Sequence, residues 1–297
     1  MTEYVIETDE LSKSYKDKAA LRGLNLRVPA GSIFGFLGKN GAGKTTTIKT
    51  LMGLLHADSG SARVFGLPVG DADGAVAIRR RIGFVTEDKE LYPYMTVAEI
   101  IRFTRGFFPA WRDDLERRYV DLFDLPLKRK IPELSKGMRS KLMLLLAFCR
   151  GADLLILDEP TDGLDPAAIE DVLREVVSIA AETGTTMFFS SHQLSEVDLV
   201  ADHIGIIDGG RMVMSGSLDD IKASHQQLRV VLEEERQAPV RWGDGVESAR
   251  QEGRVVTLLV SRNADAIAAE AQAIPGAVVE RFPVTLKEIF LEQVRSH

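Results

Sequence analysis

Gly38 to Thr45, reading GKNGAGKT, constrains this chain more than any other segment. It follows the apolar run SIFGFLG, which reads as a buried strand over 32–38, and it precedes a helical pattern from about 43 to 55. The spacing G-x-x-x-x-G-K-[ST] between a strand and a helix lets backbone N–H groups wrap a chain of phosphates. Gly38, Asn40, Gly41, Ala42 and Gly43 form that wrap. Lys44 is placed to reach the β- and γ-phosphates, Thr45 to offer its hydroxyl to Mg²⁺, and Thr46 to add a second hydroxyl.

The run LLILDEP, 154–160, supplies the complement. Four apolar residues put Asp158 at the C-terminal end of a buried strand, the end at which open α/β sheets bind ligands. Asp158 is expected to hold Mg²⁺, and Glu159 beside it to polarise an attacking water. An acidic pair after a strand often does no more than cap a helix. Joined to the 38–45 loop, the catalytic reading is the better one.

Other strand-like runs, RIGFVTE (81–87), TTMFFSS (185–191) and HIGIID (203–208), alternate with helical patterns, which predicts a mostly parallel, covered sheet. From about 97 to 150 the pattern is mostly helical. Beyond about 217 it changes to short strands and helices that read as a small α+β module. The expected domains are therefore 1–217 and 218–297.

A net charge of −7 argues against a broad basic face, so no nucleic-acid partner is expected. The apolar runs fall well short of the roughly 18 residues a membrane span needs. The acidic start MTEYVIETDE does not resemble a signal peptide. Any membrane role is thus expected to come through a partner. The single cysteine, Cys149, lies in an apolar helical run and reads as a small buried hydrophobe in a reducing compartment.

That helical run is preceded by Leu134-Ser135-Lys136-Gly137-Met138. Ser135 reads as an N-cap, and the amides of a helix N-terminus attract anions. With the two nucleotide motifs in place, residues 3–217 resemble the ATP-binding subunits of ABC transporters, whose signature segment L-S-G-G-Q occupies this position. The resemblance implies a P-loop NTPase core of the ABC type. It adds an antiparallel β region before the core, a helical subdomain carrying the signature, and MgATP as ligand. It also implies a homo- or heterodimer of ATPase subunits. In it, Ser135 and Gly137 of one subunit cover the γ-phosphate of ATP bound to the other. Lys136 and Met138 depart from the family pattern; Lys136 would bring a cation toward the phosphates.

The same resemblance gives Tyr15 the role of stacking on adenine and His192 that of sensing the γ-phosphate. It places Asp165, in TDGLDP, at the subunit interface. Glu87 stands where the family has Gln, and is expected to remain a metal-proximal ligand with a raised pKa beside Asp158 and Glu159. The cluster Leu91, Tyr92, Pro93, Tyr94 and Met95 lies in the region that in the family receives an integral membrane permease subunit. The implied protein is a cytoplasmic ATPase held at the inner face of the membrane by its permease, of the bacterial exporter kind. Two competing readings are a soluble ABC ATPase acting in macromolecular assembly or translation, and a nucleotide sensor without turnover.

Overall fold

The computed structural model describes residues 3–16, 18–86, 91–235 and 241–294. The chain divides into two compact units, Met1–Ser215 and Gly216–His297. In the first unit, β1 (Tyr4–Tyr15), β2 (Lys18–Pro29), β3 (Ile33–Leu37), α1 (Lys44–Leu51), β4 (Ser59–Val64), β5 (Leu67–Pro68), α2 (Ala72–Arg80) and β6 (Ile82–Val85) come first. The helical stretch follows as α3 (Val97–Arg105), α4 (Asp113–Leu122) and α5 (Lys136–Phe148). The chain then returns to β7 (Leu154–Asp158), α6 (Pro166–Thr183), β8 (Thr186–Ser191), α7 (Leu194–Val200), β9 (His203–Asp208) and β10 (Arg211–Ser217).

Strands β10-β9-β3-β8-β7-β6 form one sheet. Its β9-β3-β8-β7-β6 portion is parallel. Every residue of β3, β7 and β8 is buried, as expected of strands covered on both faces; β3 and the first four residues of β7 are accordingly apolar without alternation, and the polar residues of β7 and β8 gather at the strand ends. Strands β2-β1-β4-β5 make a second, antiparallel sheet. Here the pattern does alternate, with Leu24, Leu26 and Val28 of β2 buried and the residues between them exposed. One apolar core joins Leu24, Leu26 and Val28 to Phe34, Phe36, Ile156 and Phe188 of the parallel sheet.

The helical stretch begins at a capping box in which Thr96 and Glu99 satisfy each other's backbone N–H. Helix α4 is tied to α6 by a buried carboxylate. Glu175 accepts from the Tyr119 hydroxyl at 2.9 Å and from Arg118 at 2.7 Å. Tyr119 is fully buried between Phe123 and Phe148, so its hydroxyl has no access to water and needs that acceptor.

The second unit contains α8 (Leu218–Ser224), β11 (Gln226–Val231), β12 (Val246–Glu252), β13 (Val255–Val260), α9 (Ala264–Gln272), β14 (Val278–Pro283) and α10 (Leu286–Gln293). Its antiparallel sheet runs β12-β13-β11-β14, and Leu228, Val230, Val256 and Leu258 pack with Ile267 and Ala271 of α9. The runs LRVVLEEERQ, GRVVTLLVSR, ADAIAAEAQAI, AVVERF and TLKEIFLEQV of this module read in sequence as strand, strand, helix, strand and helix, which leaves out α8 and β12. Strand β12, VESARQE, has no fully buried residue and is held through its backbone against β13, so it carries no apolar alternation to read.

In this unit His225 is buried. Its Nδ1 lies 2.7 Å from the Ile221 carbonyl oxygen, which can only accept, so Nδ1 carries the hydrogen and Nε2 titrates. Nε2 faces Glu247 Oε1 at 3.5 Å. The carboxylate raises the His225 pKa against the opposing effect of burial, and the imidazolium in turn lowers that of Glu247. A raised His pKa stabilises fully below its unfolded value, about 6.5, and that contribution is lost as pH climbs through the folded value. The depressed Glu247 loses its contribution on the acid side, as pH falls through its folded value. Thermal unfolding of the full chain, followed by Trp242 fluorescence in a W111F background, should therefore show stability declining above about pH 6.5. H225Q should flatten that decline; a parent profile already flat from pH 6 to 9 would remove the ion pair from the account.

Candidate functional site

The loop from β3 into α1 is shaped by two glycines. A Cβ on Gly38 would lie 2.6 Å from the Ile207 carbonyl oxygen. Gly43 has φ 118°, and a Cβ there would sit 2.8 Å from the Ala20 oxygen. The loop can follow this path only without side chains at these two points. Gly43 is also the N-cap of α1 and gives no side-chain cap, so the helix N-terminus faces the loop's concave side without an internal side-chain acceptor.

Lys44, the first residue of α1, folds back over this loop. Its Nζ donates to the Gly38 carbonyl oxygen at 2.8 Å and lies 3.4 Å from Glu159 Oε1. Only 7% of the side chain is exposed, so the ammonium depends on these two acceptors.

Asp158 ends β7 and is buried. Parallel pairing sets Asp158 beside Ser190 of β8, whose hydroxyl donates to Asp158 Oδ1 at 2.5 Å. Burial pushes the Asp158 pKa up, and the hydrogen bonds from Ser190 and Thr45 partly oppose it. The Thr45 hydroxyl and the Asp158 carboxylate thus meet at the mouth of β7. Two oxygen ligands of this kind fit Mg²⁺, which takes few protein ligands and fills its remaining positions with water and phosphate oxygens.

Glu159 has φ 49°, a left-handed conformation that a non-glycine residue adopts only when its surroundings hold it there. Its N–H donates to the Ser190 carbonyl oxygen at 3.2 Å. The turn points the carboxylate at two cationic or donor groups. Oε1 faces Lys44, and Oε2 lies 2.8 Å from His192 Nδ1, directly past the end of β8. Beside Lys44 the carboxylate acts as the acceptor, which puts the imidazole hydrogen on Nδ1. A cleft of about 630 Å³ opens above these groups; Tyr15, nearly half exposed, lies along it, as do Lys18, Lys39 and Asp162.

The sequence-named residues therefore separate into two sets. Tyr15, Asn40, Gly41, Gly43, Lys44, Thr45, Thr46, Glu159 and His192 line the cleft, while Gly38, Ala42 and Asp158 shape it from beneath. Ser135, Gly137 and Asp165 are not among the residues lining it. Ser135 caps α5, accepting from its own Met138 N–H at 3.2 Å. Gly137 passes the turn after Glu159 so closely that a Cβ would lie 3.0 Å from the Gly163 oxygen. Asp165 caps α6 through the Ala168 N–H, a bond that lowers its pKa. Lys136 is paired with Asp162 of its own chain at 2.8 Å. Glu87 lies outside the described residues.

Sequence reasoning missed Ser190 and Glu196. Glu196 is buried, and its Oε2 accepts from Thr161 at 2.9 Å and Ser191 at 3.0 Å. It thereby clamps the turn that follows Glu159 to the strand end that carries His192. Only the tertiary register could have pointed to either residue, because in sequence Ser190 is one of two serines at the end of a strand and Glu196 one of many helical acids.

A strand-loop-helix cradle with a buried Lys, a strand-end Asp-Glu pair and a His at the next strand end defines a nucleotide-hydrolysing P-loop site. Comparison with known proteins agrees. The family described as ABC transporter matches residues 21–162. The bacitracin transport ATP-binding protein BcrA of Bacillus licheniformis is 35% identical over 239 residues, 80% of this chain and 78% of BcrA. The daunorubicin/doxorubicin resistance ATP-binding protein DrrA of Streptomyces peucetius is 38% identical over 224 residues, 74% of this chain and 67% of DrrA. A solved ATP-binding subunit of an ABC transporter superposes with a TM-score of 0.67 at 31% identity, covering 74% of this chain and 92% of that one. The chain belongs to the ATP-binding subunits of ABC transporters and is an ATPase. Among the described residues no helix is long and apolar enough to cross a membrane.

Because burial and the neighbouring Glu159 both disfavour the charged form of Asp158, D158N should stabilise the nucleotide-free protein at neutral pH. The expected gain is about 1 kcal/mol, or roughly 2–4 °C in Tm. Scanning calorimetry of both forms without nucleotide checks this; a lower Tm for D158N would show that the carboxylate's hydrogen bonds outweigh its burial.

Proposed function

We propose that two copies of this chain, or this chain and a similar one, close around two ATP molecules and drive a membrane-embedded permease that exports its substrate. The observation that carries this reading is the Glu159 carboxylate held between Lys44 and His192 on one wall of the cleft. The loop amides and Lys44 would hold the β- and γ-phosphates, and Tyr15 would stack on the base. Thr45 and Asp158 would hold Mg²⁺, which when bound offsets phosphate charge and orients the terminal phosphate. Glu159 would accept a proton from, or align, the attacking water. His192, fixed by its bond to Glu159, would present its other ring nitrogen toward the γ-phosphate.

Ser135 and Gly137 lie away from this chain's own cleft, which supports a role across a dimer interface, where the N-terminus of α5 would face the partner's γ-phosphate. ATP then favours the closed pair because it contacts both subunits only there, and hydrolysis removes that preference. Export is supported by the resistance and antibiotic-transport functions in the names of DrrA and BcrA. The side chains of Tyr92 and Tyr94 are 48% and 67% exposed, which supports a docking role for part of the 91–95 cluster. Leu91 and Met95 are only partly exposed.

E159Q keeps the shape of the side chain while removing its charge. It should lower phosphate release by about 10²–10⁴-fold and leave ATP binding intact. Size-exclusion chromatography with MgATP should then show E159Q accumulating as a dimer, whereas the parent returns to monomer as ATP is consumed. Undiminished phosphate release from E159Q would rule Glu159 out as the catalytic carboxylate.

A further inference from the structure

Arg150, two residues past the end of α5, is a cation in an apolar place. Its guanidinium carbon sits 4.4 Å from the centre of the Phe108 ring, and its Nε is buried with no hydrogen-bond partner among the described residues. Burial pushes its pKa down, to about 10, and among the described residues no carboxylate opposes the shift. The residue as a whole is half-buried, and of the five donors in its rigid fork the Nε–H is the one that is desolvated without an acceptor among the described residues, which is unfavourable. Stacking on Phe108 offsets only part of this. Three buried charged groups of this unit show the contrast: Lys44, Asp158 and Glu175 all have hydrogen-bond partners.

The side chain lines a groove of about 520 Å³ whose other walls include Tyr92, Phe103, Met143 and Leu146. One rim is a row of exposed rings, Tyr94, Tyr92, Phe103 and Phe107, with successive centroids 5.8, 5.5 and 5.1 Å apart. Phe107 is 65% exposed. Exposed aromatic rings beside an apolar groove are characteristic of a surface that is covered in the assembled protein. The groove's floor adds a demand that apolar contact cannot meet, because whatever covers it seals Arg150 further from water. The occupant must bring its own acceptor, and a carboxylate matches the planar fork in two parallel hydrogen bonds.

We propose that the groove receives an amphipathic segment of the membrane-embedded partner, with its apolar side on Tyr92, Phe103 and Leu146 and one Asp or Glu carboxylate paired with Arg150. The inference rests on the docking reading given above and adds to it the chemistry the partner must carry. Arg150 then selects among permeases by charge, since an apolar segment without a carboxylate leaves the guanidinium buried and unpaired.

The test uses the full chain bound to its membranes and solubilised in detergent. In R150K the introduced amine should form an amide with the facing carboxylate when a water-soluble carbodiimide is added. Mass spectrometry should place that link between position 150 and an Asp or Glu of a co-purifying integral membrane protein. R150M should lower recovery of that protein about tenfold or more. Hydrolysis by the isolated chain should be unchanged, and its Tm unchanged or higher, because an unpaired buried cation has been removed. A membrane protein recovered equally with the parent and R150M, or no link at position 150 while the complex is intact, overturns the Arg150 pairing alone. A Tm several degrees lower in R150M also overturns it, by showing that the guanidinium is satisfied within this chain. If the parent itself recovers no integral membrane protein, the docking reading falls as well.

Discussion

The contact between Lys44 and Glu159 brings together the two halves of the site, which come from distant parts of the sequence. One end of it depends on the loop after β3, where Lys44 also binds the Gly38 oxygen; the other depends on the left-handed turn at Glu159. A nearly buried ammonium requires acceptors, and a carboxylate aimed into a cleft is most stable beside a cation. Together they hold the nucleotide-facing groups in place before any nucleotide arrives.

Around that contact the parallel sheet acts as a positioning device. The pairing of β7 with β8 sets Ser190 beside Asp158 and brings His192 within reach of Glu159. Glu196 then fastens the two strand ends through Thr161 and Ser191. The helical stretch is coupled to the same region at two places. Ser140 of α5 donates to the Asp162 oxygen at 3.1 Å, and Glu175 of α6 holds α4 through Tyr119 and Arg118. A change at the cleft thus has a short, hydrogen-bonded route through Ser140 to α5, a helix beside the apolar groove.

Much of this was legible in the residues. The glycine-rich loop, its flanking strand and helix, and the Asp-Glu pair ending an apolar run have local signatures, because each depends on neighbours in sequence. The small C-terminal unit was only partly legible. Its core strand β13 is apolar, whereas edge strand β12 keeps its place by backbone pairing and exposes side chains of every kind. The 91–95 cluster could be read as apolar and aromatic, but its degree of exposure could not, since that depends on what packs against it.

The sequence by itself determined the nucleotide chemistry, the alternation of strands and helices, and the identity of Lys44, Asp158, Glu159 and His192 as the groups to watch. Only the tertiary structure decided which of them meet. His192 stands far along the chain from Glu159, and strand register, a non-local property, sets the 2.8 Å between them. It also decided which charges are satisfied. Lys136 finds Asp162 across a turn, while Arg150, an ordinary basic residue in the sequence, is left half-buried over Phe108 with its Nε unpaired among the described residues. The physical reason is that hydration and partner choice depend on what surrounds a side chain in space, and a linear pattern records only the residues beside it in the chain.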